Sequence, residues 1–469
     1  MFDFATLYTL TIFSLMVLFL FWRPHGINEA IPPTISAILI FAAGIVPLSD
    51  ISIILGFVSG ASITILSTIV MSIVLDSIGF FRWAAYNLVN RAKGSGVMLY
   101  WYINLLCFLM TIFFNNDGSI LITTPIIIEI VLILKLKAHQ QFPYLLSGAL
   151  IATASSAPIA VSNLANLIAL KIIGLDLNSY VSMMFVPSML GITAISLLLF
   201  YYFRKDIPKR INDLLETQKP GPAHLPHESP PHHKAHILPQ HPTLPHLLIT
   251  RPIGLPRPDM SMFKVCIAIV TLTRAGLFVG ASFGIPIEWT GIFGALLLIA
   301  YRWYRKGVGA KDIVDKTPWH IMLFAFSIHV VVYSLHNIGL TEWMVKLLRE
   351  PMLASHLNAC LISGGLLTLM SNLFNNLPSV MIDTLTLTGM GLDMLTLHIA
   401  YLASILGADI GSLITPMGTL ASLIWMFLLK KNGIKVSWAK CLKVTIVVIP
   451  IGLLVSLFSL YFWLEWLFF

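Results

Sequence analysis

The sequence FNNDGS at residues 114–119 and the sequence FNNLPS at residues 374–379 decide the fold of this chain. Each places two asparagines beside a helix-breaking glycine or proline in an otherwise apolar region, and the pairs lie 260 positions apart (375 minus 115). Gly79 and Trp83 recur at the same offset as Gly339 and Trp343. We infer two related halves, each with a polar, interrupted segment at its centre.

The composition places the chain in a lipid bilayer. Of its 469 residues, 57% are hydrophobic and 11% charged, and the mean hydropathy is +0.87, far from the usual composition of a soluble globular protein. Several apolar runs approach or exceed the roughly 20 residues that a spanning helix needs, and no strand-like alternation is visible. These runs are 7–22, 31–47, 51–75, 182–203 and 441–469. Because Asp3 replaces a cationic start, we expect the first helix to be retained rather than cleaved.

The positive charges predict a topology of ten crossings and two re-entrant hairpins. With the N-terminus outside and five crossings plus one hairpin per half, most basic residues fall on the cytoplasmic side, as is usual in membrane proteins. This bias explains the net charge of +8 without a nucleic-acid partner. The predicted fold class is an all-α polytopic membrane protein of two inverted repeats, with broken helices at the midplane. The residues placed inside are Arg23, Arg82, Arg91, Lys93, Lys135, Lys137, Arg302, Arg305, Lys306, Lys311, Lys316, Lys430, Lys431, Lys435, Lys440 and Lys443, and those outside are Lys171, Lys346 and Arg349.

The same pattern divides the chain into three parts. We expect a first transmembrane repeat at 1–203, a cytoplasmic linker at 204–258 and a second transmembrane repeat at 259–469. The linker is rich in proline and carries seven of the fourteen histidines, at positions 224, 227, 232, 233, 236, 241 and 246. Such a composition is typical of a disordered connector; metal binding and a docking strip for a cytoplasmic partner are the alternatives.

Each predicted hairpin precedes an interrupted helix. The hairpins are expected at about 97–134, with the turn at 116–118, and at about 354–392. The helices that follow are interrupted by TASSAPIAVSNLAN at 153–166 and by GADIGSLITPMGTLAS at 407–422. Proline and glycine in these stretches leave backbone amides and carbonyls without helical partners. Those groups, together with half-helix N-termini, can bind ions or polar solutes.

Amide and hydroxyl side chains at the hairpin turns and helix breaks form the predicted binding site. They offer donors and acceptors without charge, which suits a small hydroxylated neutral solute or a partly hydrated cation. The alternative is a structural role, because asparagine tolerates the left-handed turn and hydroxyls bond to their own backbone. The candidate residues are Asn115, Asn116, Ser162, Asn163, Asn375, Asn376, Thr415 and Thr419.

Four acidic residues lie within the predicted membrane region, where a carboxylate is expensive. Asp117 follows the first Asn pair and Asp409 begins the second helix break, so these two are the predicted proton carriers; the alternative is N-capping of a half-helix. Glu129 is expected to approach the cytoplasmic interface. Asp383 is not supported by symmetry, because Thr123 occupies the corresponding position in the first half.

Other polar residues receive structural interpretations. For His329 we favour an interhelical hydrogen bond over a role as a coupling base, and we expect Arg274 to pair with a carboxylate or with carbonyls. The four cysteines, at 107, 266, 360 and 441, lack the close spacing of a metal cluster or a disulfide framework. The sequence therefore predicts no catalytic residue, no resident metal and no cofactor.

Taken in order, several segments resemble the ArsB arsenical pump family of the ion transporter superfamily. The segments are NNDGSILITTPI at 115–126, PIAVSNLANLI at 158–168, VVYSLHNIGLTEW at 331–343, NNLPSVM at 375–381 and GADIGSLITPMGTLASLIW at 407–425. The resemblance implies secondary efflux of arsenite and antimonite across a bacterial inner membrane in exchange for protons. It also implies a soluble ATPase subunit that some relatives use and others do without. The Ser-Asn-Thr tips of related sodium-coupled carriers are here Ser162-Asn163-Leu164 and Gly418-Thr419-Leu420.

The implied substrate agrees with the side chains at the predicted site. Arsenous acid is an uncharged trihydroxide at neutral pH, and the two tips and breaks supply amides and hydroxyls with no arginine among them. Uphill movement of a neutral solute needs a coupled ion, and hence a titratable group. The alternative within the superfamily is a sodium/proton antiporter. A passive channel and an intramembrane enzyme are disfavoured by the duplication and by the lack of a nucleophile-base motif.

Overall fold

The computed structural model describes residues 4–22, 24, 27–211 and 259–468, and within them the chain is entirely helical, with no β-strand. The predicted all-α membrane class is confirmed, because ten of these helices are long and apolar enough to cross a bilayer. Most of the predicted linker at 204–258 lies outside the described residues.

The first half contains nine α-helices and one short 3-10 helix between α7 and α8. They are α1 Phe4–Trp22, α2 Ile31–Ala42, α3 Leu48–Ser77, α4 Phe80–Arg91, α5 Gly96–Phe113, α6 Asn116–Ile133, α7 Ala138–Ala154, the 3-10 helix Ala160–Ser162, α8 Leu164–Ile173 and α9 Leu177–Phe203.

The second half repeats this order with one additional short helix, α12. Its elements are α10 Met260–Ser282, α11 Ile287–Lys306, α12 Lys311–Lys316, α13 His320–Asn337, α14 Leu340–Leu353, α15 His356–Phe374, α16 Asn376–Gly389, α17 Met394–Asp409, the 3-10 helix Gly411–Ile414, α18 Leu420–Lys431 and α19 Trp438–Phe468.

The helix starts show that the duplicated residues perform the same local tasks in both halves. Helices α4 and α14 follow glycines with positive φ, 86° at Gly79 and 88° at Gly339, a conformation that costs glycine little. Helices α5 and α15 are both capped by serine, and α6 and α16 are both capped by the first asparagine of the pair. The duplication therefore extends from sequence to local structure, whereas the inverted relation of the halves stays a prediction.

The ten long apolar helices are not the same set as the ten predicted crossings. Helices α5, α6 and α15 belong to the set, although we predicted them as hairpin arms. Conversely, α2 has only 12 residues, and α11, with Glu288 and Arg302, is not among the ten. An 18-residue helix extends about 27 Å, close to the apolar thickness of a bilayer. Helix length therefore does not separate a hairpin arm from a crossing in this chain.

The halves pack so that the second arm of each hairpin lies against the interrupted helix of the other half. Helix α6 packs against α18, and α16 packs against α8. Outside this centre, α9 packs along α19, α3 along α11, and α2 along α13. The two turns and the two helix breaks are therefore gathered at the contact between the halves.

Small residues bring α9 and α19 into close contact. A Cβ atom built on Gly191 would meet the side chain of Ser456 and the carbonyl of Gly452, and one built on Gly452 would meet Ile195. Close helix approach at small residues is a principal source of packing energy in membranes.

We expect Gly191→Leu to destabilise the protein, because the larger side chain must separate α9 from α19. Overpacking of this kind costs about 1–3 kcal/mol, measurable as a lower thermal unfolding temperature in detergent. Gly365→Leu is the control, since nothing lies within 4 Å of a Cβ at Gly365. Equal unfolding temperatures for the two variants would contradict the packing argument.

Candidate functional site

The first helix break lies between α7 and α8. Helix α7 ends at Ala154, a single 3-10 turn follows Pro158, and α8 begins after Asn163. The Asn163 side chain accepts a hydrogen bond from the backbone N–H of Ala165 at 3.1 Å, which satisfies one exposed amide of the new helix. The sequence predicted this interruption, and its polar residues are buried.

The second break, between α17 and α18, is held by a residue that the sequence analysis missed. Asn372 of α15 donates from Nδ2 to the Gly411 carbonyl at 2.9 Å and accepts from the Thr415 N–H at 2.8 Å. Thr419 then caps α18 by accepting from the Ser422 N–H at 3.0 Å. Position 112 of the first half is isoleucine, so the duplication gave no signal for Asn372.

The second hairpin turn is hydrogen-bonded to this break. The Asn376 N–H donates to the Gly418 carbonyl at 2.9 Å, and Asn375 Nδ2 donates to the Met417 carbonyl at 3.3 Å. Asn375 has φ of 78° and ψ of 154°, a backbone region that is strained for a residue with a Cβ. The tip and the break of the second half therefore form one connected unit.

The first hairpin turn has a different conformation. Asn115 is extended, with φ of −164°, so of the two first asparagines only Asn375 has a positive φ, and its ψ of 154° differs from that of the left-handed turn considered for the asparagines. The Oδ1 of Asn115 caps α6 by accepting from the Gly118 N–H at 3.0 Å, whereas its buried Nδ2 has no partner within the described residues. Asn116 Oδ1 accepts from the Asp117 N–H at 2.8 Å. Asn115 thus stabilises the tip and still presents an unused amide donor.

Arg274 of α10 reaches this first turn and donates hydrogen bonds to backbone carbonyls. Carbonyls are one of the two kinds of partner predicted for it. Its Nε donates to the Phe113 carbonyl at 2.6 Å and its Nη2 to the Phe114 carbonyl, while its buried Nη1 has no partner in the part of the chain that the structure describes. These carbonyls lie at the end of α5, where helical acceptors lack intrahelical donors. Ser14 holds the equivalent position in the first half, so this contact breaks the repeat.

Asp409 joins the two halves at the centre of the molecule. Its Oδ1 accepts from Asn163 Nδ2 and its Oδ2 from Asn166 Nδ2, both at 2.6 Å. Among the described residues no Lys, Arg or His forms an ion pair with it. The alternative role, capping of a half-helix N-terminus, does not fit, because Asp409 is the last residue of α17. The sequence had singled out Asp409 and Asn163, but not their contact or the part played by Asn166.

Asp117 lies close enough to Asp409 for their charges to interact, and Glu29 acts on it from the loop before α2. Asp117 as a whole residue is half-buried, and it lies in the first turn of α6. Glu29 in turn contacts His320, with 2.9 Å between Oε1 and Nε2. The two predicted proton carriers therefore lie in one region of the molecule.

Several buried polar atoms near the turns and breaks have no hydrogen-bond partner within the described chain. Such atoms are uncommon in folded proteins and mark places where a solute or ion can bind. Three of them belong to predicted site residues, and the other two flank those residues. They are Asn115 Nδ2, Ser162 Oγ, Asn166 Oδ1, Ser412 Oγ and Thr415 Oγ1.

Glu129 and His329 form no hydrogen bond with the turns or breaks within the described residues. Glu129 is half-buried on α6 and interacts electrostatically with Arg82. His329 is buried, its Nδ1 is 2.5 Å from the Ala325 carbonyl, and its Nε2 has no partner among the described residues. The four cysteines are single and buried, and residues 4–22, 27–211 and 259–468 contain no group of three or more metal-ligating side chains.

Sequence comparisons cover nearly the whole chain. A family model described as arsenical pump membrane protein matches residues 8–226 and 249–464. A Bacillus subtilis relative, whose arsenical pump description is provisional, is 47% identical over 97% of this chain and 99% of its own length. Arsenical pump membrane proteins of Escherichia coli K12 and Yersinia enterocolitica are 29% and 28% identical, each over 96% of this chain and 97% of their own.

Proposed function

The chain belongs to the arsenical pump membrane protein family, and from this membership we propose that it exports arsenite and antimonite in exchange for protons. It is a multi-pass membrane transporter rather than an enzyme. The proposed mechanism is alternating access, with the two halves, 1–203 and 259–469, moving about the central site.

The observation that carries this proposal is the set of buried amide and hydroxyl groups at the first turn and the two helix breaks that lack partners within the described chain. A neutral trihydroxide both donates and accepts hydrogen bonds, so it can satisfy Asn115 Nδ2 as an acceptor and Asn166 Oδ1 as a donor. The proposed substrate site also includes the other predicted residues, namely Asn116, Ser162, Asn163, Asn375, Asn376, Thr415 and Thr419. Thiolate capture of trivalent arsenic is not supported, because the cysteines are far apart in sequence and single.

Proton coupling is proposed at Asp409, with Asp117 as the second candidate. Two amide N–H groups point at the two oxygens of Asp409, an arrangement that favours the ionised carboxylate. Protonation turns one oxygen into a donor and removes the charge that strengthens both bonds, so the contact between the halves is weakened. A proton bound at Asp409 thereby changes the free energy of the contact on which alternating access depends.

Family membership also supports a proposal for the location and the partner of the protein. We propose that it resides in a bacterial inner membrane and acts on arsenite and antimonite from the cytoplasmic side. A soluble ATPase subunit is a candidate partner, and the linker at 204–258 is the cytoplasmic segment to which it could bind. Such a partner is not required for the proton-driven mechanism proposed here.

Uptake of arsenite into inverted membrane vesicles tests this function. With an imposed pH gradient, we expect arsenite to accumulate in vesicles that contain the protein and not in vesicles without it. Omission of sodium is expected to have no effect. Sodium-dependent proton movement without arsenite flux would instead identify a sodium/proton antiporter.

Asn115→Ala tests the binding site, because it removes both the α6 cap and the unused Nδ2. We expect the KM for arsenite to rise about 2- to 10-fold, the value of one or two uncharged hydrogen bonds. We also expect the variant to lose about 1 kcal/mol of stability through the lost cap. Initial uptake rates in inverted vesicles and thermal unfolding in detergent measure the two effects.

Asn115→Ser separates the two roles, because serine retains a cap acceptor and lacks the amide donor. The binding role predicts that Asn115→Ser recovers stability and keeps the raised KM. A KM equal to that of the unaltered protein in Asn115→Ser would show that Asn115 only stabilises the tip.

A further inference from the structure

A carboxyl outside the central site has no charge partner within the described chain. Asp383, on α16, is 1% exposed and its Oδ1 has no hydrogen-bond partner there. It lies seven residues after Asn376, which corresponds to about 10 Å along the helix from the second turn. An ionised carboxylate in such a position is strongly destabilised unless a proton or cation neutralises it.

The helices that pack against α16 do not supply the missing charge. These are α8, α13, α14, α15 and α17, and none of their described residues forms an ion pair with Asp383. Their buried titratable groups are His329, Cys360, Tyr401 and Asp409. Their exposed ones are Lys171, Glu342, Lys346, Arg349 and Glu350. The half-buried ones are His320, Tyr333, His336, His356 and His398.

The group that does face Asp383 is a hydroxyl. Ser404 of α17 is close enough to interact with this carboxyl, although neither its buried Oγ nor Asp383 Oδ1 meets the geometry of a hydrogen bond within the described residues. A proton on Asp383 would create an O–H donor, and the neighbouring Ser404 Oγ can accept a hydrogen bond from it. One proton therefore neutralises the buried charge, and the protonated carboxyl and the serine hydroxyl can still hydrogen-bond to each other.

Comparison with the first half indicates that a carboxyl at this position is not needed to build the hairpin arm. Thr123 holds the equivalent position on α6, and its hydroxyl donates to the Ser119 carbonyl at 2.8 Å. The first arm thus forms the same type of helix with a self-satisfied hydroxyl in place of an acid. An acidic residue at only one of two equivalent positions indicates a task beyond packing.

We propose that Asp383 is a second proton-binding site, which takes up and releases a proton in each transport cycle. The inference rests on the proposed function, because it assigns a further site to the proton-driven export described above. Asp383 and Ser404 lie on adjacent helices of the second half, and α17 ends at Asp409. A change in packing between α16 and α17 would therefore accompany events at the central carboxyl.

The test compares Asp383→Asn, Asp383→Glu and the unaltered full chain in inverted vesicles. Two quantities are measured: arsenite counterflow, which needs no net proton movement, and accumulation driven by a pH gradient. We expect Asp383→Asn to retain counterflow and lose gradient-driven accumulation, and Asp383→Glu to recover part of it. Undiminished accumulation in Asp383→Asn would overturn the proposal. Absence of arsenite counterflow in the unaltered protein would instead refute the proposed function.

A measurement on the folded protein covers the case in which Asp383→Asn does not fold. The infrared absorption of protonated carboxyl groups is recorded for the purified full chain and for Asp383→Glu at several pH values, with and without arsenite. We expect a carboxyl band that shifts in Asp383→Glu and whose intensity changes with pH and arsenite. A shifted band with constant intensity would show a permanently protonated structural acid and would overturn the proposal.

Discussion

Asp409→Asn is expected to abolish the accumulation of arsenite against a gradient while the protein still folds and inserts. Asparagine has nearly the same shape, so the packing around position 409 is kept. It carries no titratable proton, however, and its NH2 faces one of the two amide donors from Asn163 and Asn166. Without proton exchange a neutral solute only equilibrates, and the ratio of inside to outside arsenite is expected to fall to about one.

Asp393→Asn is the control for this experiment. Asp393 is exposed at the start of α17, where hydrogen bonds from the Thr396 side chain and backbone hold the pKa of its carboxyl below the ordinary value. It is therefore ionised at neutral pH and cannot carry the transported proton. We expect Asp393→Asn to accumulate arsenite, with at most a small loss of stability from the weakened cap.

If the Asp409→Asn protein accumulates arsenite normally, Asp117 becomes the leading candidate for the residue that carries the coupled proton. The charge of Asp117 interacts with those of both Asp409 and Glu29, and this residue is the second candidate for the coupled proton. Normal accumulation in both Asp409→Asn and Asp117→Asn would show that neither residue carries the coupled proton.

The sequence predicted those parts of the fold that depend on local patterns. The repeated asparagine pairs correctly located the turns between α5 and α6 and between α15 and α16. Pro158 and the pair Pro416 and Gly418 correctly located the two breaks, because helix interruption is decided by neighbouring residues. The distinction between crossings and hairpin arms was not accessible, since an arm of 18 residues has the length and hydropathy of a crossing.

The contacts that build the site could not be predicted from the sequence. Asn163 and Asp409 are 246 positions apart, and nothing in their local sequences indicates that they meet. Arg274 and Asn372 act where the duplication fails, at positions occupied by serine and isoleucine in the first half. The burial of Asp383 and its unpartnered oxygen within the described chain depend on the packing of α16 against five other helices, which the sequence does not give.

Gly418 has the most constrained position in the second break. Its carbonyl accepts the hydrogen bond from the Asn376 N–H at 2.9 Å, so it joins the break to the hairpin turn. A Cβ atom at this position would collide with the backbone carbonyl of Ser412. A side chain can rotate away from such a contact, but a backbone carbonyl in a buried 3-10 turn moves only if the turn itself changes.

Gly418→Ala is therefore expected to shift the second break, which contains Ser412 and Thr415 and is hydrogen-bonded to Asn376 at the hairpin turn. We expect this shift to lower the maximal rate of arsenite transport. A displacement of about 1 Å at a positioned group can reduce a rate about 100-fold, and we expect a loss of at least about tenfold here. Initial uptake rates in inverted vesicles, normalised to the amount of inserted protein, measure the effect. Gly309→Ala is the control, because a Cβ atom at Gly309 would have no described neighbour within 4 Å and the residue has no positive φ. A normal rate in Gly418→Ala would show that the second break does not have to keep this geometry during transport, and the substrate site would then have to be sought at the first break and the first hairpin turn.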